Sequence, residues 1–253
     1  MKIYHEDHPG PGTPLLLIAG LASDAVSYTF QVEPLNQHHR LLLCDNRGVG
    51  RSPKPPGPYT IEQMAQDILE FLPEEKVHIL GHSMGGAIAQ HLAAHHPERI
   101  GKLILACTQQ RFQGRTMAIV ESWAGLLKYN PEAALLGRSL FPWLYTQDFL
   151  DQPGNLQACI DALQAHPYRL EADAIAAQVA ALKTFQPLAI KVPTLVLAAD
   201  QDLLTTPANA RQLYQSIPGS HFKVLENTGH SCMLQTPQAF NQAVLEYLNT
   251  SAG

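Results

Sequence analysis

The stretch Val77-His78-Ile79-Leu80-Gly81-His82-Ser83-Met84-Gly85-Gly86 organises this chain. It begins with a short apolar run, and the small and apolar residues of 87–94 follow it. This order predicts a strand, a sharp turn and a helix, which is the context of a nucleophile elbow with the pattern G-x-S-x-G. The glycines favour a tight turn because they carry no Cβ that would collide with neighbouring backbone. Ser83 is therefore the candidate nucleophile; the alternative is an ordinary glycine-rich turn with a surface serine.

The rest of the chain alternates between strand and helix signals. Continuous apolar runs predict strands of a parallel sheet that is buried on both faces, at 14–19, 40–45, 102–107, 192–199 and 221–225. Thr60 and Gln63 have the spacing of a capping box, and Thr236-Pro237 is typical of an N-cap followed by the first helical position. The alternation predicts the α/β class, with a mostly parallel central sheet flanked by helices.

One long segment departs from this alternation. Residues 109–186 are predicted to be mostly helical, and they contain both tryptophans of the chain. We interpret them as a helical cap inserted into an α/β core formed by 1–108 and 187–253. The insertion follows the carboxyl end of a strand, where such sheets bind ligands. A peripheral decoration without a binding role is the alternative. The candidate substrate-binding residues are the large aromatic ones Trp123, Phe141, Trp143 and Tyr145.

Composition narrows the range of partners. The 253 residues carry a net charge of −5, which argues weakly against nucleic acid or an anionic membrane surface. No apolar stretch approaches the length of a membrane span, and no secretory signal is expected at the start. The four cysteines are scattered, which favours free thiols in the cytoplasm. The histidines form no metal-binding motif, so we predict no metal site. The partner that we expect is a small-molecule substrate, and the oligomeric state stays open.

A serine nucleophile needs a base, and the base needs an orienting acid. In the elbow fold these follow in the order serine, acid, histidine, all at carboxyl ends of strands. His230 follows the strand at 221–225, whereas His221 opens that strand and lies at its other end. We therefore predict His230 as the base. Asp200 and Asp202 both follow the preceding strand; Asp202 is preferred because its loop can turn back towards His230.

An oxyanion hole needs two backbone N–H donors. The amide of Met84 lies at the start of the elbow helix, and the second is expected from the loop after the first long strand. We choose Leu21 in that loop, although a plain strand-to-helix turn is the competing interpretation. Asp45 also ends a strand, but it precedes Ser83, and an Asp45–Arg47 pair that fixes the local loop is the simpler hypothesis.

These residues resemble the α/β-hydrolase superfamily over nearly the whole chain. The resemblance rests on five pieces: Ala19-Gly20-Leu21, Asp45-x-Arg47-Gly48-x-Gly50-x-Ser52, Gly81-His82-Ser83-Met84-Gly85-Gly86, Ala199-x-x-Asp202 and Gly229-His230. Ala19 stands where the family usually has histidine, and Pro207 follows Asp202 by one residue more than usual. Among members of the superfamily, the chain is similar to aminoacrylate hydrolases, enol-lactone hydrolases and pimeloyl-ester esterases.

The resemblance implies acyl chemistry without a cofactor. The first hypothesis is a serine esterase that cleaves an ester, lactone or similar activated carbonyl of a small to medium, partly apolar substrate through an acyl-enzyme. An aminoacrylate- or carbamate-type hydrolase, or a C–C bond hydrolase, is the alternative on the same triad. Cofactor-free perhydrolysis is a further option. A ligand-binding or signalling protein with negligible turnover is the hypothesis from a different class.

Overall fold

The computed structural model describes residues 1–250 and contains one seven-stranded sheet in that range. The strands are β1 (His5–His8), β2 (Leu15–Ile18), β3 (Leu41–Cys44), β4 (Val77–His82), β5 (Ile100–Ala106), β6 (Thr194–Ala199) and β7 (His221–Leu225). Their order across the sheet is β1-β3-β2-β4-β5-β6-β7. β1 pairs with β3 in antiparallel fashion, and the remaining pairs are parallel. The predicted fold class is confirmed.

The central strands are apolar throughout because both of their faces are covered. Leu16 and Ile18 of β2 belong to the core on one side of the sheet, and Leu15 and Leu17 belong to the core on the other. Side chains alternate between faces along a strand, so a continuous apolar run fills both cores at once. All four residues are fully buried.

Eleven α-helices lie within the described range. They are α1 (Thr29–Asn36), α2 (Ile61–Leu69), α3 (Met84–His95), α4 (Arg115–Leu127), α5 (Ala133–Leu144), α6 (Gln147–Asp151), α7 (Asn155–Ala165), α8 (Ala172–Thr184), α9 (Pro207–Ser216), α10 (Cys232–Gln235) and α11 (Pro237–Leu248). No helix within residues 1–250 has the length and apolarity needed to cross a bilayer.

Two helix starts test the capping predictions. The Thr60 hydroxyl accepts a hydrogen bond from the Gln63 amide, and the Gln63 side chain accepts one from the Thr60 amide, which completes a capping box. Thr236 precedes α11 as expected, but its side chain makes no cap. Its hydroxyl instead donates to the Cys232 carbonyl at 3.3 Å, because α10 ends immediately before α11 begins.

The five helices α4 to α8 lie between β5 and β6, and we call residues 115–184 the inserted segment. Within it, α4 packs against α8, and α5 packs against α7. Because β2 and β4 to β7 run parallel, their carboxyl ends meet at one edge of the sheet. The inserted segment leaves β5 at this edge, which is the edge where open α/β sheets bind ligands.

Candidate active site

The elbow places Ser83 between β4 and α3 in a strained conformation. Its φ of 53° and ψ of −118° lie outside the regions that non-glycine residues favour. Two hydrogen bonds hold it: the Ser83 amide donates to the Ala106 carbonyl at 3.0 Å, and the Gly86 amide donates to the Ser83 carbonyl at 2.9 Å. Gly85 is required here because a Cβ at this position would collide with the Ile18 carbonyl.

Three predicted side chains form a continuous hydrogen-bonded chain. His230 Nε2 lies 3.0 Å from the Ser83 hydroxyl, and His230 Nδ1 lies 2.8 Å from Asp202 Oδ2. His230 is 4% exposed and Asp202 is 2% exposed, so solvent hardly competes for these contacts. The arrangement has the geometry of a nucleophile, a base and an orienting acid.

Asp202 is held by its own loop. Oδ1 accepts from the amides of Leu204 and Thr205 at 2.8 and 2.9 Å, and Oδ2 accepts from the Thr205 hydroxyl at 2.7 Å. Burial by itself would raise the pKa of Asp202, but the facing His230 and the Thr205 contacts hold it below the ordinary value. The carboxylate is therefore ionised and able to orient the imidazole.

Asp200, the alternative acid, has a different position. Its two carboxylate oxygens accept hydrogen bonds from the amides of Asn227 and Thr228, at 3.0 and 2.9 Å. Asp200 thus fixes the turn that leads to His230 and does not contact the imidazole. The structure therefore brings Asp202, and not Asp200, to the candidate base.

His82 supports the same histidine from the other side. Its Nε2 lies 2.9 Å from the His230 carbonyl, which requires the proton on that nitrogen. Burial lowers the pKa of His82 to about 3, and the nearby His230 adds to this effect. His82 is therefore neutral at physiological pH and positions the loop of His230.

The two predicted oxyanion donors flank Ser83. Gly20, which precedes Leu21, is so close to the elbow that a Cβ there would come within 3.2 Å of Ser83 Cβ. Leu21 and Ser83 line the same cavity, and Met84 is the first residue of α3, where a backbone N–H has no partner within the helix. The role of these two amides as oxyanion donors stays a prediction.

Gln178 holds the Leu21 loop in place, and the sequence analysis missed it. This fully buried side chain of α8 accepts from the Ala22 amide at 3.0 Å and donates to the Arg47 carbonyl at 2.8 Å. Ala22 has a φ of 58°, so the loop needs such support. The available signal was a glutamine among the alanines and apolar residues of α8.

The expected Asp45–Arg47 pair is wrong. Asp45 Oδ2 accepts from Arg51 Nε at 2.8 Å, whereas Arg47 Nε donates to Asp67 at 2.6 Å. The turn that begins after β3 carries Arg51 back towards Asp45, while Arg47 extends towards α2. Both pairs still fix the loop, which was the role expected for this aspartate.

A cavity of about 540 Å³ opens over Ser83. The inserted segment contributes Trp123, Phe141 and Tyr145 to its wall, together with several leucines. Trp143 is not a lining residue. It lies two positions after Phe141 on α5, and two positions turn a helix by more than half a revolution, so it faces away.

Charged groups are few in this cavity. Within residues 1–250, the lining contains no lysine or arginine; Asp24 is its one carboxylate, and His166 adds a further polar side chain. The wall is therefore suited to the apolar part of a ligand. Pockets of this volume and character hold small-molecule ligands in other proteins.

One group of side chains has the residue types of a metal site. Within residues 1–250, His82, Cys107 and Cys232 bring their ligand atoms within 4.8 Å of one another. All three are buried behind the candidate triad. The Cys107 thiol donates to Cys232 Sγ at 3.5 Å, and His82 Nε2 donates to the His230 carbonyl, whereas the buried His82 Nδ1 makes no hydrogen bond within residues 1–250.

Comparison with known proteins identifies the family of this chain. A family model described as the alpha/beta hydrolase fold matches residues 13–237. The chain belongs to the α/β-hydrolase family. Proteins named "Putative carbamate hydrolase RutD" are similar to this α/β-hydrolase over their full length. The one from Caulobacter sp. (strain K31) is 30% identical and covers 99% of this chain and 97% of the relative.

Solved structures extend the comparison. The enol-lactonase from Burkholderia xenovorans LB400 is similar to this α/β-hydrolase with a TM-score of 0.87 at 28% identity, over 98% of this chain and 96% of that one. A thermophilic esterase from Thermogutta terrifontis has a TM-score of 0.83 at 25% identity, over 97% and 92% of the two chains. The shared fold thus occurs in neighbours with different named substrates.

Proposed function

We propose that this protein is a serine hydrolase that cleaves an ester or lactone through an acyl-enzyme intermediate. The observation that carries the proposal is the hydrogen-bonded chain from Ser83 through His230 to Asp202. The strained elbow of Ser83 supports it, because such strain persists where the surrounding structure holds a reactive group in place.

The geometry supplies each step of acyl transfer. His230 Nε2 removes the proton of Ser83 as the hydroxyl oxygen attacks the carbonyl carbon. The amides of Leu21 and Met84 stabilise the oxyanion of the tetrahedral intermediate, and each such donor is worth about 3–4 kcal/mol. His230 then gives its proton to the leaving alcohol. His230 then deprotonates a water molecule that attacks the acyl carbon, and it returns this proton to the Ser83 oxygen as the bond between that oxygen and the acyl group breaks.

The cavity favours a partly apolar substrate. A volume of about 540 Å³ exceeds what a carbamate or aminoacrylate needs, and most of the wall is apolar. The names of two structural neighbours, an enol-lactonase and an esterase, fit the same chemistry. The carbamate hydrolases among the relatives make the carbamate-type reaction the second candidate.

The four cysteines are free thiols, which is consistent with the cytoplasmic location that we propose.

The proposal is tested with p-nitrophenyl esters of increasing acyl length. Wild type should hydrolyse them with an optimum at a medium chain, and Ser83→Ala should be inactive. Turnover by both proteins alike would contradict the proposal. If neither protein turns over, phosphonate labelling of Ser83 distinguishes an enzyme with a specialised substrate, which is labelled, from a binding protein with an inert serine.

A further inference from the structure

A carboxylate lines the cavity and is only partly engaged. Asp24 follows the Leu21 loop, and its side chain is 5% exposed. Its Oδ1 accepts from the Val26 amide at 3.0 Å and lies 3.4 Å from His166 Nε2. Within residues 1–250, no hydrogen-bond donor reaches its Oδ2. Asp24 Oδ2 keeps some accessible surface at the cavity wall, and a carboxylate oxygen accepts hydrogen bonds, so Asp24 is suited to a donor that a ligand brings.

His166 connects this carboxylate to the inserted segment. It directly follows α7, and its Nδ1 lies 3.1 Å from the Tyr168 carbonyl oxygen and 3.3 Å from the Tyr168 amide nitrogen. Its Nε2 faces Asp24 Oδ1 at 3.4 Å. His166 also lines a second cavity of about 560 Å³, whose wall includes Asn130, Glu132 and Arg169. The Asp24–His166 pair therefore stands where the apolar cavity meets a more polar one.

Several charged groups lie around Asp24. Burial raises the pKa of Asp24, and His166 opposes this effect; Asp45 and Arg51 act more weakly in opposite directions. The Arg51 guanidinium is engaged by Asp45 and Glu6. Since no lysine or arginine within residues 1–250 lines the 540 Å³ cavity, an anionic ligand would meet the Asp24 carboxylate there without a neighbouring lysine or arginine to bind.

We propose that the Asp24–His166 pair is a subsite for a hydrogen-bond donor carried by the acyl part of the substrate. The preferred donor is an ammonium group, and a hydroxyl group is the second choice. The inference rests on the proposed function and deepens it. The substrate class is then an ester or lactone whose apolar acyl chain ends in such a donor. Acyl chains that end in a carboxylate are rejected, because they approach the like charge of Asp24.

The test uses p-nitrophenyl esters that differ only at the end of the acyl chain. They are the hexanoate, the 6-hydroxyhexanoate, the 6-ammoniohexanoate and the monoester of adipate, assayed at pH 8. For wild type, kcat/KM should be highest for the ammonium ester and lowest for the adipate monoester. The 6-trimethylammonio ester separates charge from hydrogen bonding, and it should fall below the ammonium ester. An adipate monoester hydrolysed as fast as the ammonium ester would overturn the proposal.

Asp24→Asn keeps an oxygen that can accept from the Val26 amide and removes the charge. The ratio of kcat/KM for the ammonium ester to that for the hexanoate should fall about tenfold to a hundredfold, as expected for loss of a charged hydrogen bond. Asp148→Asn is the matched control, since Asp148 is exposed on α6 and lies outside the cavity. An unchanged ratio in folded Asp24→Asn, checked by thermal melting, would overturn the subsite.

A binding measurement separates the subsite from the chemistry. Calorimetry with Ser83→Ala compares the p-nitroanilides of 6-ammoniohexanoic and hexanoic acid, which need no turnover. The ammonium anilide should bind about tenfold or more tightly, and the double variant with Asp24→Asn should lose this preference. If no ester is hydrolysed while the preference persists, the proposed function fails and the subsite stands. Equal binding of the two anilides would overturn the subsite whatever the esterase result.

Discussion

The two sides of the cavity are built in different ways. Below it, the loops at the carboxyl ends of β4, β6 and β7 place Ser83, Asp202 and His230 within direct hydrogen-bond contact. Above it, the inserted segment contributes a mostly apolar wall from several helices. The lower side has few degrees of freedom because a sheet fixes it, whereas the upper side depends on how five helices pack.

This difference suggests which part of the molecule determines the reaction and which part determines substrate selectivity. The sheet edge is expected to determine the reaction, and the inserted segment is expected to determine which acyl group fits. Gln178 links the two sides, since it belongs to α8 and supports the loop of Leu21, one of the two predicted oxyanion donors. The variants below test this division of roles between the sheet edge and the inserted segment.

Ser83→Ala removes the nucleophile from the sheet edge. We expect kcat for a p-nitrophenyl ester to fall on the order of a million-fold, as for other triad serines. The free energy of unfolding should change little, because a small side chain is replaced by a smaller one. Steady-state assays and urea unfolding measure the two quantities. A loss of less than a hundredfold would assign the nucleophile elsewhere.

Asp202→Asn removes the charge that orients His230. The expected loss in kcat is about ten-thousand-fold, because the imidazole is no longer held in the productive tautomer. Asp200→Asn is the matched control, since Asp200 contacts only the Asn227–Thr228 backbone. Its loss should be at least tenfold smaller. The reverse order in steady-state assays would exchange the assignments of the two aspartates.

Gln178→Ala tests whether the inserted segment also serves the chemistry. Without Gln178, the Ala22 amide loses its acceptor and the Leu21 loop relaxes. We expect kcat to fall about tenfold to a hundredfold with a smaller change in KM, which is less than the effect of deleting an oxyanion donor. Gln31→Ala removes an equally buried glutamine that contacts Met233, and its kcat should stay within about threefold. If Gln178→Ala and Gln31→Ala lost kcat equally, Gln178 would contribute to stability and not to the chemistry.

Val120→Phe tests the division from the side of the inserted segment. Val120 lines the cavity from α4, so a phenyl ring there should occupy space that the acyl chain needs. The preferred acyl length should shorten, with about a tenfold loss in kcat/KM for the longest good ester, since unfavourable packing costs about 1–3 kcal/mol. Trp143→Ala is the control because Trp143 faces away. An unchanged profile for Val120→Phe would place the acyl chain elsewhere.

The buried His82 predicts a pH effect on stability. Its pKa is about 3 in the folded protein, against about 6.5 for an unperturbed histidine. Between these values the unfolded chain binds the extra proton, so stability is greatest above pH 7 and decreases as the pH falls. The contribution is up to about 1.4 kcal/mol per pH unit. His82→Gln should reduce this slope in urea unfolding from pH 7 to 5, whereas the exposed His38→Gln should not.

The sequence sufficed for the features that depend on local pattern and chain order. The strand runs, the elbow and the order of Ser83, Asp202 and His230 need no knowledge of packing. Asp202 was preferred to Asp200 because its loop can turn back towards His230. In the structure the Asp202 carboxylate does reach His230. The catalytic roles themselves remain predictions that the variants above test.

The features that the sequence did not predict arise from distant contacts. Gln178 meets Ala22 and Arg47 only after α8 packs onto the core, and Asp24 meets His166 across the same junction. Trp143 was expected in the cavity because it is aromatic, but the rotation of α5 decides which residues face inwards. Such rotation depends on tertiary packing, which residue types alone do not determine.

Trapping the acyl-enzyme tests the central claim most directly. Rapid mixing of wild type with a p-nitrophenyl ester, followed by acid quench and mass spectrometry, should reveal one acyl group per chain on the peptide that contains Ser83. The adduct should form in a burst with p-nitrophenol, decay at the rate of turnover and be absent from Ser83→Ala. Turnover without an adduct at Ser83, retained in Ser83→Ala, would contradict the account.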